Sequence, residues 1–241
     1  MPPTPPPWPP RPRDESPLAV LVSGGADSAI LLAEAVRGYA AVHPLYVRVG
    51  SHWEGVELAY LRRFLAAIAA PNLQPLTVLA QPVADVYGPH WSLTGDGVPA
   101  ADSPDAAVFL PGRNVLLLAK PLLWCHLNGV PAVATAPLVT NPFPDADAAF
   151  YDGFASVVGR AVAGQVRVLR PYAELGLTKA DVLRRGGGVP LRHTFSCIDP
   201  AGELHCGRCN KCGERRHGFR AAGLPDPTTY ADARDRRTAR A

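Results

Sequence analysis

Two groups of residues in this chain have the types and spacing to do chemistry. The first is Ser23-Gly24-Gly25-Ala26-Asp27-Ser28. Adjacent glycines allow positive φ and close backbone approach, and two serine hydroxyls add donors beside the free N–H groups that open a helix. That set suits a phosphate. The plainer reading is a turn whose serine and aspartate only cap a helix. Neither a Walker A loop nor GxGxxG is present, because the P-loop lysine and the third glycine are missing. The second group is Cys197, Cys206, Cys209 and Cys212, spaced C-x8-C-x2-C-x2-C. Two overlapping CxxC turns can aim three thiolates at one centre, and the loop carrying Asp199, Pro200 and Gly202 returns the fourth, which suits tetrahedral zinc. An iron–sulfur cluster or a redox CxxC is the rival reading. A zinc ion held by four cysteines has no open coordination position, so its role would be structural. His205 falls inside the same loop, either as a substitute ligand or as a solvated surface histidine. Cys125 sits on an apolar helix face and reads as buried and inert.

These groups need elements to position them. Leu18 to Val22 is an unbroken apolar run, the pattern of a strand buried on both faces, and the residues after Ser28 have helical spacing. The hexapeptide is therefore a strand-to-helix turn. Further strands are expected at 42–49, 76–79, 131–135 and 166–169, alternating with helices over 54–70, 115–127 and 148–163. Thr178 and Asp181 form a capping-box pattern that starts a helix running to Arg185. Strands alternating with helices at this spacing predict an α/β fold, a Rossmann-like parallel sheet with helices on both faces, and ligands beyond the C-terminal strand ends. Residues 81–109 lack periodicity and read as a flap over the site. The expected organisation is a disordered Pro-rich leader over 1–16, an α/β domain over 17–192, a zinc knuckle and helix over 193–222, and a C-terminal tail over 223–241 whose basic end, 234–240, reads as solvated and frayed.

Composition narrows the class. The 241 residues allow one sizeable core plus a small appendage, and the net charge is only +3. No apolar run reaches transmembrane length and the leader lacks the apolar core of a signal peptide, so a cytoplasmic protein is expected. In that compartment five cysteines argue for metal over disulfides.

The SGGxDS turn, so placed, resembles the pyrophosphate loop of the ATP-pyrophosphatase (PP-loop) family, whose members transfer AMP to a substrate oxygen and release pyrophosphate. Together with Pro111-Gly112-Arg113-Asn114, Leu177-Thr178-Lys179-Ala180-Asp181-Val182, and Thr194 to Cys197 followed by His205 to Arg215, it resembles 7-cyano-7-deazaguanine synthase. The resemblance covers nearly the whole chain after residue 17. It implies ATP-dependent conversion of 7-carboxy-7-deazaguanine and ammonia to 7-cyano-7-deazaguanine in queuosine-type biosynthesis, through an adenylated carboxylate and an adenylated amide. It also implies a C–N bond-forming ligase, one structural zinc per subunit, magnesium with ATP, and a homodimer.

By the same resemblance, Ser23, Gly24, Gly25 and Ser28 hold phosphates, and Asp27 places them or a magnesium ion. Arg113 and Lys179 neutralise developing charge, Asn114 lines the nucleotide site, and the four cysteines hold zinc. Asp145, which matches the family's Pro-Asp, is the candidate reader of the deazaguanine edge beside Phe143, whereas Asp147 is read as an N-cap. Two departures stand out. After the second strand this chain has Val49-Gly50-Ser51-His52-Trp53-Glu54 where the family usually carries Tyr-Gly-Gln, and Asp147 stands where an arginine is expected. They leave open a divergent relative that adenylates another carboxylate or amide, or that joins a deazaguanine to a macromolecular amine. A zinc-bearing nucleic-acid-binding module, suggested by the arginines of the knuckle and of residues 234–240, is the reading from another class. The acids Asp232 and Asp235 speak against it.

Overall fold

The computed structural model describes residues 8–232. Five strands, β1 (Asp14–Leu21), β2 (Tyr39–Arg48), β3 (Thr77–Ala80), β4 (Ala132–Ala134) and β5 (Arg167–Leu169), form one sheet in the order β3-β2-β1-β4-β5. Every pairing is parallel. The order reverses at β1, so a crevice opens between the C-terminal ends of β1 and β4.

Alternation along β1 sets the two layers. Leu18 and Val20 face α1 (Ala26–Gly38), α2 (Glu54–Ala67), α8 (Lys179–Arg185) and α9 (Asn210–Ala222), where Ile30, Leu61, Val182 and Phe219 complete the larger core. Ala19 faces the other way, onto Leu118, Leu122 and Cys125 of α5 (Arg113–Leu127) and Tyr151 of α6 (Ala148–Ala161). Helices thus cover both faces, as expected for a parallel sheet. Cys125 is fully buried in this second core.

Several boundaries differ from the sequence reading. Strand β1 starts at Asp14, which pairs with Tyr39, four residues before the apolar run. Trp8 lies 5.7 Å from the Tyr39 ring, and its indole N–H donates to Glu34 at 3.0 Å. Residues 8–16 are therefore docked, not a free leader; a buried carboxylate needs donors, and Glu34 takes them from Trp8, the Tyr172 hydroxyl (2.8 Å) and Arg185 (2.8 Å). Residues 1–7 of the expected leader lie outside the described residues. A one-turn helix, α7 (Pro171–Glu174), was not anticipated.

Residues 81–109 hold only short turns, α3 (Ala84–Tyr87), α4 (Trp91–Thr94) and a 3-10 turn at Asp105–Val108. This segment docks on the knuckle, with Asn210 N–H donating to Pro99 O (2.8 Å) and Asn210 Nδ2 to Ser103 O (2.8 Å). The C-terminal stretch docks there too. Tyr230 forms a bridge with His205, and the Arg216 guanidinium lies 4.1 Å over the Tyr230 ring, so the C-terminal stretch is tied to the knuckle as far as Asp232. The basic run 234–240 lies outside the described residues.

Candidate active site

The glycine turn over 23–28, the candidate phosphate site, is built by its own side chains. Ser23 N–H donates to Ser28 Oγ (3.2 Å), Ser28 Oγ donates to Gly25 O (3.2 Å), and Gly24 adopts φ +74°. A side chain at Gly24 would meet Glu57 at 3.1 Å, so close approach and a left-handed φ both require glycine. Gly24 O accepts Phe195 N–H at 2.7 Å, which ties the turn directly to the cysteine segment.

Lys179, the first residue of α8, points back to the turn. The capping box that starts α8 is present: Thr178 Oγ1 accepts Asp181 N–H (3.4 Å) and the Asp181 carboxylate accepts Thr178 N–H (3.0 Å). It fixes the helix start and with it the lysine. Lys179 Nζ donates to Asp27 Oδ2 (2.7 Å) and to Glu214 Oε1 (2.9 Å). Burial opposes its charge, but the two carboxylates outweigh that and hold its pKa above the ordinary lysine value. Asp27 Oδ1 is buried with no hydrogen-bond partner among the described residues.

Two cavities meet at this turn. One, of about 280 Å³, opens in the crevice between β1 and β4 beside Thr135, Asn114, Phe143, Asp145 and Tyr151. The other, of about 210 Å³, lies toward the knuckle beside Trp53, Trp91, Glu57, Lys179 and Ser196. Ser23, Asp27, Arg113, Lys211 and Glu214 border both. The Arg113 side chain makes no hydrogen bond or ion pair among the described residues, which leaves its guanidinium available to an anion.

The residues predicted for the base divide differently. Asp145 is buried; its Oδ2 accepts the backbone N–H of Asn114 (2.9 Å), and Asn114 Nδ2 donates to Asp145 O (2.7 Å). Asn114 therefore borders the first cavity while its amide and N–H clasp the Asp145 loop. Phe143 stacks on Phe109 with ring centres 5.1 Å apart, forming an aromatic wall there. Asp147 N-caps α6, its carboxylate accepting Phe150 N–H at 2.7 Å, and it borders neither cavity.

In the knuckle, Cys197 Sγ lies 3.8 Å from Cys209 Sγ, Cys206 Sγ lies 3.9 Å from Cys212 Sγ, and all four sulfurs fall within 4.8 Å of one another. Thiolates about 2.3 Å from a single tetrahedral ion stand about 3.8 Å apart, so the spacing fits one metal ion. Cysteines that ligate different irons of a cluster stand further apart. Backbone N–H groups of Asp199, Cys206, Arg208 and Cys209 point at the sulfurs. His205 is a correction to the sequence reading. It is buried rather than solvated, packs with its ring centre 4.5 Å from that of Phe195 at a tilt of 50°, and accepts Ser196 N–H through Nε2 (3.1 Å). Burial and the neighbouring Arg215 push its pKa down to about 3, so it is a neutral core acceptor outside the sulfur set.

The family model for queuosine biosynthesis protein QueC matches residues 18–223. The chain belongs to this family. It is 36% identical over 226 residues to the 7-cyano-7-deazaguanine synthase of Anaeromyxobacter sp. (strain Fw109-5), covering 88% of this chain and 94% of that one. To the synthase of Thiobacillus denitrificans it is 34% identical over 223 residues, covering 88% and 97%. A 4-thiouridine synthetase–RNA complex with bound ATP superposes with TM-score 0.46 and 14% identity, covering 89% of this chain and 47% of that one, too remote to add to the assignment.

The two departures fall differently: Asp147 lies off both cavities, whereas of residues 49–54 Trp53 borders the second. Asp147 serves a helix end away from both cavities. His52 docks the 81–109 segment, its N–H donating to Ser92 O at 2.8 Å, and neither Ser51 nor His52 borders either cavity. Sequence reasoning missed Lys211, Glu214, Glu57 and Trp91. For Lys211 and Glu214 the available signal was their place between and just after the clustered cysteines, since a knuckle tied to the glycine turn presents its residues to it. Glu57 and Trp91 carried no signal beyond helical spacing and an aromatic in a polar segment. Burial pushes the Glu57 carboxyl up to about 7, against the opposing pulls of the Tyr46 hydroxyl, which donates to it, and of Arg113.

Proposed function

We propose that the protein converts 7-carboxy-7-deazaguanine and ammonia to 7-cyano-7-deazaguanine at the expense of ATP. A carboxylate is a poor electrophile, and making its oxygen part of a leaving group is the difficulty to be overcome. The carboxylate oxygen attacks the α-phosphorus and pyrophosphate leaves; ammonia displaces AMP to give the amide. A second ATP adenylates the amide oxygen with release of pyrophosphate, and loss of AMP and of both amide N–H protons leaves the nitrile. Throughout, charge develops on the α-phosphate and on the departing pyrophosphate. The backbone of Gly24 and Gly25 with the Ser23 and Ser28 hydroxyls binds these oxygens, while Lys179 and Arg113 offset the charge. Trp53, Trp91 and Phe143 exclude water and offer flat apolar surface to purine-like rings.

The observation that carries this reading is the bond from Lys179 to Asp27, which plants a cation at the phosphate turn where two cavities meet. Magnesium, when bound, would supply further neutralisation of phosphate charge, and Asp27 Oδ1, buried without a partner among the described residues, would be its ligand on this chain. Zinc at Cys197, Cys206, Cys209 and Cys212 would be structural, since four thiolates close its coordination. Free ammonia as nitrogen donor, a homodimeric assembly and a cytoplasmic location belong to the same proposal; no helix of the described residues is long and apolar enough to cross a membrane.

The test is direct. Incubation with ATP, magnesium, ammonium and 7-carboxy-7-deazaguanine should give the nitrile by mass spectrometry, with AMP and pyrophosphate as coproducts. Absence of the nitrile with AMP still formed would point to another acceptor; ADP and phosphate as products would refute adenylation.

A further inference from the structure

Lys211 lies between two of the clustered cysteines, Cys209 and Cys212, in the first turn of α9, and its ammonium bonds the Glu214 carboxylate. It borders both cavities together with Ser23 and Asp27 of the phosphate turn. Its Nζ donates to Glu214 Oε2 at 2.6 Å, and the other oxygen of the same carboxylate accepts from Lys179 at 2.9 Å. Lys179 in turn reaches Asp27 at 2.7 Å. One carboxylate therefore holds two ammonium groups at the edge of the phosphate turn. The side chain of Lys211 is 30% exposed, and Glu214 fixes the flexible stem that would otherwise sample many rotamers.

We propose that Lys211 is a further substrate-contacting residue, which binds the β- and γ-phosphates and holds them as they depart as pyrophosphate. The inference rests on the adenylation reading. Charge balance is the reason for it. Asp27 and Glu214 bring two negative charges to the turn and Lys179 only one positive, so without Lys211 these groups would present net negative charge to a polyanion. Lys211 restores neutrality among these four groups, and Arg113 adds a further cation to the same cavities, whose walls also carry Asp105, Asp145 and Glu57. Because Lys211 sits on the cysteine knuckle, the metal site is also the mount of an active-site cation. This gives Glu214 a positioning role: it spaces the two ammonium groups so that both face the cavities instead of repelling each other apart.

The test is calorimetric binding of inorganic pyrophosphate and of AMP, at fixed ionic strength with magnesium, to the metal-loaded full-length protein and to Lys211→Met and Lys211→Arg. Removing one charge-assisted hydrogen bond to a phosphate group weakens binding about ten- to hundred-fold. Lys211→Met should lose pyrophosphate affinity by that factor and keep AMP affinity within about twofold, while Lys211→Arg should recover most of the loss. Bound metal and thermal midpoint should match wild type. Pyrophosphate affinity unchanged in Lys211→Met would overturn the assignment, as would equal losses for pyrophosphate and AMP with a lowered midpoint, which would mark a structural role. If the wild-type protein binds neither pyrophosphate nor ATP, the adenylation reading itself falls. That failure is separate from the failure of Lys211 alone.

Discussion

Asp145 and Asn114 clasp each other through two hydrogen bonds, from Asn114 N–H to Asp145 Oδ2 and from Asn114 Nδ2 to Asp145 O. Helix α5 begins after Gly112, which has no side chain to cap it, and Asp145 supplies that cap from another element. One carboxylate oxygen is thus committed to the fold. Oδ1 is left to meet a ligand, and a bidentate hold on a deazaguanine edge would make Oδ2 share its remaining lone pair while keeping the cap. We expect Asp145→Ala to cost about 0.5–2 kcal/mol of stability in urea or thermal unfolding, in addition to any loss of substrate binding. A melting temperature equal to wild type would show that the cap contributes nothing.

Asp147 provides the matched control. Its carboxylate caps α6 and faces neither cavity. Asp147→Ala should likewise cost about 0.5–2 kcal/mol but leave kcat/KM for both substrates within about twofold when assayed well below the unfolding transition. A large loss of turnover at full stability would place Asp147 at the substrate after all.

Asp27 is expected to be essential to turnover rather than to folding. Asp27→Asn keeps the size of the side chain but removes the charge that pairs with Lys179, leaving that ammonium with Glu214 alone. Turnover, followed as pyrophosphate release, should fall by at least about 100-fold, the scale of deleting one preorganised charge at a phosphoryl centre. Circular dichroism should stay unchanged. Turnover near wild type would remove Asp27 from the mechanism.

Glu57 makes stability depend on pH. Its carboxyl is raised to about 7 by burial from an ordinary value of 4.5, so the folded protein binds a proton there more tightly than the unfolded chain does. The contribution is fully present below about pH 4.5 and is lost as pH rises through 7. Wild type should therefore lose stability over that window relative to Glu57→Gln, which has no proton to release. Urea midpoints measured from pH 5 to pH 8 check this; parallel pH profiles for the two proteins would contradict it. The Tyr46 hydroxyl, which donates to Glu57, should sharpen the effect when replaced by phenylalanine, because the ionised form then loses its donor.

The metal site should behave as part of the fold. Cys209→Ser removes one of four converging sulfurs and the residue that precedes α9. Metal stoichiometry should drop and the thermal midpoint fall, since binding energy at a closed site is folding energy. Retention of one zinc per chain would refute the ligand assignment.

The local elements of this protein were legible in its residues because their signals are local. The apolar run at Leu18–Val22, the glycine turn after it, the Thr178–Asp181 capping box and the cysteine spacing each act over a few residues. The turn, the cap and the cysteine cluster were found where the sequence put them, and the strand of the apolar run extends back to Asp14. The strand alternation likewise implied a parallel sheet with a ligand crevice at the strand ends. What the sequence could not decide is which residues the sheet order brings together. Lys179 and Glu214 are 35 residues apart and Lys179 and Asp27 are 152 apart, and only the packing of α8 and α9 beside α1 makes them a single charged chain. The same holds for Trp8, which joins the fold through Glu34 and Tyr39, and for His205, buried by aromatic neighbours that a linear reading cannot see. Asp145 became a helix cap, whatever it also reads in a ligand, for the same reason. A carboxylate binds whichever donors lie nearest, and three-dimensional packing put the open N-terminus of α5 within 2.9 Å of it.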